Sequence, residues 1–353
     1  KILIIKEYFT SNFKMNFTKD NGKNIFLHFG TFLNWLFRSI IVGLICGFVG
    51  VAFHFLVDWA TITRQENPWL LYLLPLGGII IVFLYKITKS HDSYNTNYVF
   101  NSIRKYNKVP VLMAPLIFIS TVLTHLFGGS AGREGAALQM GGSLGCTIGR
   151  IFKVNNESMK ILIMCGMSAV FTALFSTPIT ATVFSIEVIS VGVFYHSALV
   201  PCLISSISAY FVTTLFSIPK LNFSFLNIPE FSIELVFPII ILAIACGICS
   251  IIFCTAIKTT SVLNAKLFKN NYIKIIVGGF IIIVLTLLVN TTDYNGAGMD
   301  IIFKAVNGYA KPEAFALKIL FTAITIGVGF KGGEIVPTLF VGATFGNIIG
   351  GLI

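Results

Sequence analysis

Charged residues are scarce in this sequence. Only 11% of its 353 residues are Asp, Glu, Lys or Arg, whereas a soluble domain contains about 25%. Apolar residues make up 56%, which is more than a soluble fold of this length can bury. At about 20 residues per crossing, this content is sufficient for about eight to ten membrane spans. The composition therefore excludes an ordinary soluble domain and predicts a multi-pass protein of the cell membrane, surrounded by lipid.

Acidic residues are the scarcer of the two charged classes, with 14 Asp and Glu against 25 Lys and Arg and a net charge of +11. The basic residues mostly lie between apolar runs, and no soluble stretch combines them with aromatic residues as a nucleic-acid interface would. We therefore predict no nucleic-acid partner. Lysines dominate the charge of the first 31 residues, which predicts a cytoplasmic N-terminal segment, 1–31.

Metal-ligand clusters and processing signals are also lacking. The seven cysteines all lie in apolar segments, and the pair Cys246 and Cys249 has no second pair or nearby histidine to complete a zinc site. We predict that these cysteines pack as small apolar side chains, and we predict no metal and no cofactor. The N-terminus lacks a signal-peptide pattern. Because the chain starts at Lys1 and stops inside an apolar run, we expect it to be cut at both ends.

Long apolar runs account for most of the chain, and glycine or proline interrupts many of them. Several are too short to cross a bilayer alone. Such interruptions predict half-helices and re-entrant segments, which a membrane tolerates only where the backbone is buried in protein or lines an aqueous cavity. The runs are residues 32–57, 69–85, 109–127, 161–175, 178–194, 198–216, 235–256, 275–289, 315–330 and 335–353.

An internal repeat appears at an offset of 200 residues. In both copies a polar turn leads to a short helix, an apolar span, a glycine-rich break with a glutamate, and a helix of small residues. Broken helices at corresponding places in two halves indicate the midplane site of a transporter. We predict an all-α membrane domain, 32–353, with halves at about 32–217 and 231–353. The matched pairs include Tyr94/Tyr294, Asn107/Asn307, Gly129/Gly329, Gly132/Gly332, Glu134/Glu334 and Gly142/Gly342.

The first break has the sequence GGSAGREGAALQMGGSLG, residues 128–145. A helix is predicted to begin near Arg133 or Glu134 at membrane depth. The first N–H groups of such a helix have no internal partner and form an anion site. Glu134 places its own carboxylate there, which suggests a tethered competitor for a free anion that leaves when protonated. The alternative is a simple salt bridge between Glu134 and Arg133.

The second break has the sequence GFKGGEIVPTLFVGATFG, residues 329–346. Pro337 is favoured in the first turn of a helix, where its missing N–H costs nothing. A second set of free N–H groups is therefore predicted to face the first. For Glu334 two interpretations stay open, a carboxylate on the ion path or a partner of Lys331.

A third segment, residues 175–190, begins a helix at Pro178. Its Thr180, Thr182 and Ser185 are predicted to pack closely against other helices. Glu187 lies near the far end and is interpreted as structural or interfacial rather than as a proton carrier.

Together these segments resemble the CLC family of anion channels and anion/proton antiporters, from about residue 32 to residue 353. GREGA at residues 132–136 is similar to the family motif GREGP, with Ala136 in place of proline. GGEIVP is similar to the motif GxFxP, with Ile335 in place of phenylalanine. The Pro178 segment is similar to the family helix that ends in a glutamate at the dimer interface.

The resemblance implies a homodimer with one anion pathway per subunit, each subunit built from two inverted halves. It implies that Glu134 is the outer gating glutamate, which alternates with chloride or another halide and in antiporters carries protons. The closing helices of the family fold lie beyond the end of this chain. The backbone amides expected to bind the ion belong to Arg133, Gly135, Ala136, Glu334, Ile335 and Val336.

Three departures from the family pattern affect the details. The motif GSGIP, which supplies a serine to the inner site, is replaced by HDSYNTNYVF, in which Ser93 or Thr96 is the candidate hydroxyl. Val188 stands where many antiporters have a second, proton-carrying glutamate; family channels and the fluoride-exporting branch also lack that glutamate. The stretch LTHLFGGSAGREG and the glutamate at 334 resemble the fluoride branch, although Val336 replaces a hydroxyl that is frequent there.

An intramembrane serine hydrolase is the alternative of another class, because residues 141–145 match GxSxG around Ser143. That reading requires a strand before the serine or a histidine facing it, and His196 is the sole histidine after Ser143. His125 is either a proton relay or, more commonly for a lone histidine, bound to backbone. Arg38, His54 and Asp58 are interpreted as interfacial. We therefore predict no enzyme but a halide transporter, of chloride in broad class, with a fluoride/proton antiporter as the alternative.

Overall fold

The computed structural model describes residues 19–90, 96–105, 109–190, 192–218 and 232–352, with side chains from residue 29 onward. In these ranges the chain is helical and contains no strand. Short 3-10 turns precede two of the helices, at Pro68–Leu73 and Ile233–Leu235. The helices are α1 (Lys19–Glu66), α2 (Leu74–Ile87), α3 (Thr96–Arg104), α4 (Met113–Leu126), α5 (Glu134–Ile151), α6 (Asn156–Phe175), α7 (Pro178–Glu187), α8 (His196–Leu215), α9 (Val236–Leu267), α10 (Asn271–Val289), α11 (Met299–Val306), α12 (Ala314–Gly327) and α13 (Ile335–Gly350).

Six helical stretches are long and apolar enough to cross a membrane. Three further apolar helices, α4, α12 and α13, have only 14, 14 and 16 residues. At a rise of about 1.5 Å per residue they are shorter than the hydrocarbon layer of about 30 Å. This combination confirms the predicted multi-pass fold with broken helices. The six stretches are Phe29–Glu66, Pro68–Ile87, Asn156–Phe175, His196–Leu215, Ile233–Leu267 and Asn271–Val289.

Two helices differ in extent from the apolar runs of the sequence. The boundary at residue 31 falls inside α1, which already begins at Lys19. The apolar run marks only the membrane part of this helix, whereas helical hydrogen bonding continues through the polar, proline-free residues before it. In the third segment the helix is shorter than the apolar run 178–194, since α7 ends at Glu187.

The two halves repeat the same backbone, but in a register one residue from the predicted one. Helices α4 and α12 each have 14 residues and start 201 positions apart, at Met113 and Ala314. The left-handed turns after them, Gly128 (φ +85°) and Gly329 (φ +109°), keep that offset, as do the starts of α5 and α13. The predicted match of Glu134 with Glu334 is therefore wrong. Glu134 corresponds to Ile335, because adjacent glycines allow the sequences to match in either register.

Close packing of α5 on α6 forms the centre of the first half. Both helices are buried along most of their lengths. A Cβ added at Gly141 would overlap the carbonyl oxygen of Gly166, and a Cβ at Gly166 would overlap that of Gly141. The missing side chains thus allow the two backbones to touch, as small residues commonly do between membrane helices.

We predict that Gly166→Ala destabilises the protein by about 1–3 kcal/mol through overpacking. The matched control is Gly247→Ala on α9, where a Cβ would meet nothing within 4 Å among the described residues. Alanine favours a helix over glycine by up to about 1 kcal/mol, so the control should be neutral or slightly stabilised. Size-exclusion profiles after heating in detergent measure both. An unchanged melting temperature for Gly166→Ala would contradict the packing.

Candidate anion site

The two glycine-rich breaks meet directly. Gly132 N–H donates to the Gly333 carbonyl at 2.7 Å, and Gly333 N–H donates to the Gly132 carbonyl at 2.6 Å, as an isolated antiparallel bridge. Helix α5 starts two residues after Gly132 and α13 two residues after Gly333. The bridge therefore brings the N-termini of two helices together, where their first N–H groups lack intrahelical acceptors. The predicted pair of facing amide sets is present.

The Glu134 side chain lies between these two helix ends. It is fully buried. Its Oε2 accepts hydrogen bonds from Arg133 N–H at 3.1 Å and from Val336 N–H at 3.3 Å. A single carboxylate oxygen thus receives amides from both halves of the chain, which is the arrangement that helix N-termini offer to bound anions. The glutamate occupies an anion position.

Glycine is required beside this carboxylate. A Cβ at Gly333 would lie 3.1 Å from Glu134 Oε2 and 2.9 Å from the backbone nitrogen of Glu134. A Cβ at Gly132 would overlap Oε2 as well. Any larger residue would push the carboxylate away from the amides, which explains the glycines before Arg133 and Glu334.

The alternative salt bridge between Glu134 and Arg133 is wrong. The Arg133 guanidinium instead binds Asp58 Oδ1 on α1 at 2.8 Å, and Asp58 Oδ2 lies 3.1 Å from His54 Nε2. His54 and Asp58 therefore lie beside the site, and their position at the membrane interface stays a prediction. Sequence reasoning missed the contact because these residues lie 75 or more positions from Arg133. A histidine and an aspartate four residues apart in an apolar span were the available signal of a functional site.

The second half also holds the first break in place. Ser130 N–H donates to Thr325 Oγ1 at 3.1 Å, and Ser130 Oγ lies 3.0 Å from Thr322 Oγ1. Asn295 Nδ2 donates to the Gly128 carbonyl at 2.8 Å. These bonds satisfy polar backbone that would otherwise be exposed at membrane depth.

Lys318 is a further residue that sequence reasoning missed. It lies in the middle of α12 and is fully buried. Its ammonium donates to the carbonyls of Gly296 (2.7 Å) and Tyr294 (3.2 Å) and lies 5.1 Å from the Phe340 ring centroid. Gly296 N–H in turn donates to the Gly129 carbonyl at 3.1 Å. A lysine inside a short apolar helix was the available signal.

The other predicted ion-binding residues differ in burial. Gly135 and Ala136 are buried in the first turn of α5 and Val336 in that of α13, whereas Glu334 precedes α13 and its side chain is exposed. Lys331 lies over the Tyr85 ring, 4.6 Å from its centroid. Thr96 Oγ1 lies 3.5 Å from the Gly135 carbonyl and accepts from Gln139 Nε2 at 3.2 Å. The competing hydroxyl, Ser93, falls outside the described residues.

The remaining polar residues have ordinary structural partners. His125 Nε2 lies 3.4 Å from the Gly132 carbonyl, so the commoner interpretation, a bond to backbone, is confirmed. Thr182 packs against Ser168 and Ser206 as predicted, at 3.5 and 3.2 Å. Thr180, by contrast, is exposed on this chain.

The hydrolase interpretation is contradicted by the surroundings of Ser143. This serine lies within α5, fully buried, and donates to the Pro110 carbonyl at 2.6 Å. His196 is exposed at the start of α8, beside the Phe194 ring. A buried serine bound to backbone and an exposed histidine do not form a nucleophile and base.

A cavity of about 310 Å³ lies in front of Glu134 and is lined by both halves of the chain. Charged groups of both signs stand on its walls. They are Asp58, Arg64, Arg133, Asp293, Asp300 and Lys304.

We predict that Asp58→Asn lowers stability, since Arg133, with a side chain only 14% exposed, loses its ionic partner. Asp58 is itself 45% exposed, so the expected loss is about 1 kcal/mol. Asp293→Asn is the control. Asp293 binds Lys311 at 2.9 Å and raises its pKa, but the Lys311 side chain is 57% exposed, so the loss of this pair should matter little. Thermal unfolding in detergent measures both variants. Equal losses would contradict a special role for the Arg133 pair.

Comparison with known proteins agrees with this geometry. The family model described as voltage gated chloride channel matches residues 76–353. A chloride/fluoride channel protein of Pseudomonas syringae pv. tomato is 29% identical over 90% of this chain and 72% of its own length. The H(+)/Cl(-) exchange transporter ClcA of Vibrio vulnificus is 23% identical over 94% of this chain and 76% of its own.

Solved structures share the fold. The crystal structure of a CLC-type fluoride/proton antiporter matches with a TM-score of 0.82 and 28% identity, covering 87% of this chain and 78% of its own. A slow cyanobacterial Cl-/H+ antiporter matches with a TM-score of 0.72 and 22% identity, covering 87% and 76%. The chain is a multi-pass integral membrane protein that belongs to the voltage gated chloride channel family, the CLC family of anion transport proteins.

Proposed function

We propose that this protein moves a halide ion across the membrane through a pathway in which the ion and the Glu134 carboxylate compete for one site. The observation that carries the proposal is the position of Glu134 Oε2, bound by Arg133 N–H and Val336 N–H from opposite halves. Preorganised backbone amides at helix ends bind a monovalent anion without a full opposing charge. The site is thus suited to a small anion that must also leave.

Protonation of Glu134 provides the release step. A carboxylate accepts hydrogen bonds from the two amides, whereas a neutral carboxyl group is a weaker acceptor and has a proton to donate. On protonation the side chain leaves the amides and a halide takes its place. The return of Glu134 as a carboxylate then expels the ion and releases the proton, which couples the two movements.

The remaining ion contacts come from the first turns of α5 and α13. Beyond Arg133 and Val336, the amides of Gly135, Ala136 and Ile335 are the candidates, together with the amide of Glu334. Of the two candidate hydroxyls for the inner ion site, Thr96 lies in the described part of the chain, beside the Gly135 carbonyl. Assembly as a homodimer stays a prediction.

Chloride is the halide expected from the broad family, and fluoride is the second candidate. Fluoride is supported by two relatives, the chloride/fluoride channel protein of Pseudomonas syringae pv. tomato and the solved CLC-type fluoride/proton antiporter. Val188 fits either case, since it supplies no second carboxylate for a separate proton path. Both ions are monovalent, so dehydration cost and site size decide between them.

The substrate is tested with liposomes that contain the natural full-length protein and are loaded in turn with chloride and fluoride. Halide efflux and external pH are recorded together. Fluoride efflux with opposed proton movement supports the antiporter, and chloride efflux with protons supports an exchanger. Chloride efflux without proton movement supports a channel, and the absence of any flux would refute the transport proposal.

We predict that Glu134→Gln abolishes the dependence of halide flux on protons, because the amide side chain cannot change its charge. Glu157→Gln, which alters an exposed carboxylate at the start of α6, should leave the coupling as in the wild type. The measurement is the same flux assay across a range of pH. Continued proton movement against a halide gradient in Glu134→Gln would refute the assignment of the gate.

A further inference from the structure

The Arg133 side chain lies next to a carboxylate that it does not bind. Arg133 and Glu134 are consecutive, so their Cα atoms are about 3.8 Å apart, and both residues line the same cavity. Glu134 Oε1 is buried and has no hydrogen-bond partner among the described residues. Guanidinium groups commonly bind carboxylates through strong, charge-assisted hydrogen bonds. An acceptor for Arg133 is thus within reach, yet the guanidinium is bound elsewhere.

Asp58 on α1 holds this guanidinium away from Glu134. Its Oδ1 accepts a hydrogen bond from Arg133 Nη1 at 2.8 Å, and within the described part of the chain Arg133 makes no other ion pair. The Asp58 side chain is 45% exposed. A partly exposed carboxylate loses side-chain entropy when it is held in one geometry, so a second contact that orients Asp58 strengthens its hold on Arg133.

His54 supplies that second contact. It lies one helical turn before Asp58, is 4% exposed, and its Nε2 lies 3.1 Å from Asp58 Oδ2. Because a carboxylate only accepts hydrogen bonds, Nε2 is the nitrogen that carries a proton. His54 Nδ1 is buried without a partner among the described residues, which suits the bare nitrogen of a neutral imidazole, since a buried donor without an acceptor is costly. Each oxygen of Asp58 therefore has its own donor.

Other charged and titratable groups surround Glu134 on every neighbouring element. Those with a hydrogen-bonded partner are bound to other groups: His125 to the Gly132 carbonyl, Lys318 to two carbonyls and Asp293 to Lys311. In the described chain none of them forms an ion pair with Arg133. The groups are Arg64 of α1, His125 of α4, Asp293 after α10, Asp300 and Lys304 of α11, Lys318 of α12 and Glu334 before α13.

We propose that His54 and Asp58 are positioning residues that keep the Arg133 guanidinium away from the free oxygen of Glu134. The proposal rests on the proposed function, in which the Glu134 carboxylate leaves its amides once it is protonated. Without Asp58, Arg133 would bind Glu134 Oε1 and stabilise the charged carboxylate on the amides. More acid would then be required to release it. This restraint by the two α1 residues thus sets the pH at which the pathway opens.

The test is the pH profile of halide flux in liposomes that contain the full-length protein. We expect Asp58→Asn to lower the pH of half-maximal flux by about one unit, as for a carboxylate that gains a cation within about 4–6 Å. Adding Arg133→Gln should restore the wild-type value, because the guanidinium is gone while the backbone N–H remains. The control Asp293→Asn removes a carboxylate from the same cavity without freeing Arg133 and should shift the profile far less.

A second pair of variants isolates His54. His54→Gln keeps a side-chain N–H that can donate to Asp58, whereas His54→Leu has no donor. We expect His54→Leu to shift the profile in the direction of Asp58→Asn, though by less, and His54→Gln to match the wild type. If Asp58→Asn does not fold, His54→Leu still tests the restraint, because Asp58 and Arg133 keep their charges. Equal shifts in both His54 variants would refute the role of His54 as a donor.

The outcomes separate this restraint from the transport proposal. An unshifted profile in Asp58→Asn would overturn the restraint, as would an equal shift in Asp293→Asn or a shift that Arg133→Gln does not reverse. Melting temperatures in detergent give a readout without flux. The effects of Arg133→Gln and Glu134→Gln should deviate from additivity more strongly in the Asp58→Asn background than in the wild type. That result in a protein without flux would support the restraint and refute transport, whereas equal deviations in both backgrounds would contradict the restraint.

Discussion

Unpaired backbone N–H groups at membrane depth are the constraint on which the rest of this structure depends. Two helices begin inside the protein, and the bilayer offers no water to satisfy their first amides. Part of this need is met between the halves, where Gly132 and Gly333 bond to one another. Two more amides, those of Arg133 and Val336, donate to Glu134 Oε2. The same amides that need an acceptor are the ones to which the proposed function assigns the ion.

This arrangement requires a rigid frame around a movable side chain. The frame is polar. Asn295 binds Gly128 and Thr325 binds Ser130 across the two halves, and Lys318 binds the loop at Gly296 within the second half. Each contact satisfies a backbone group that would otherwise be orphaned in an apolar environment. Because these bonds do not involve the Glu134 side chain, the proposed departure of the carboxylate would leave the amides in position, which is the preorganisation an ion site requires.

Sequence reasoning identified the local features of the site and missed those that depend on distant contacts. The start of α5 and the place of Glu134 were predictable, because glycines flank a charged pair at the beginning of an apolar helix. The partner of Arg133 was not, since Asp58 lies 75 positions away. The register of the repeat was wrong by one because Gly332 and Gly333 are adjacent, so side-chain identity could not distinguish two alignments that the backbone separates.

In the proposed function, the tether of Glu134 explains why a proton is suited to open the pathway. A group linked covalently to its site has an effective concentration of at least millimolar order. The Glu134 carboxylate also accepts two charge-assisted hydrogen bonds from backbone amides. A free halide of equal charge would have to exceed that advantage to displace it. Protonation neutralises the Glu134 carboxylate, so it no longer competes with the halide. The amides then favour the halide, which still carries a negative charge. In the proposed cycle, coupling to protons thus follows from placing the competitor on the chain itself.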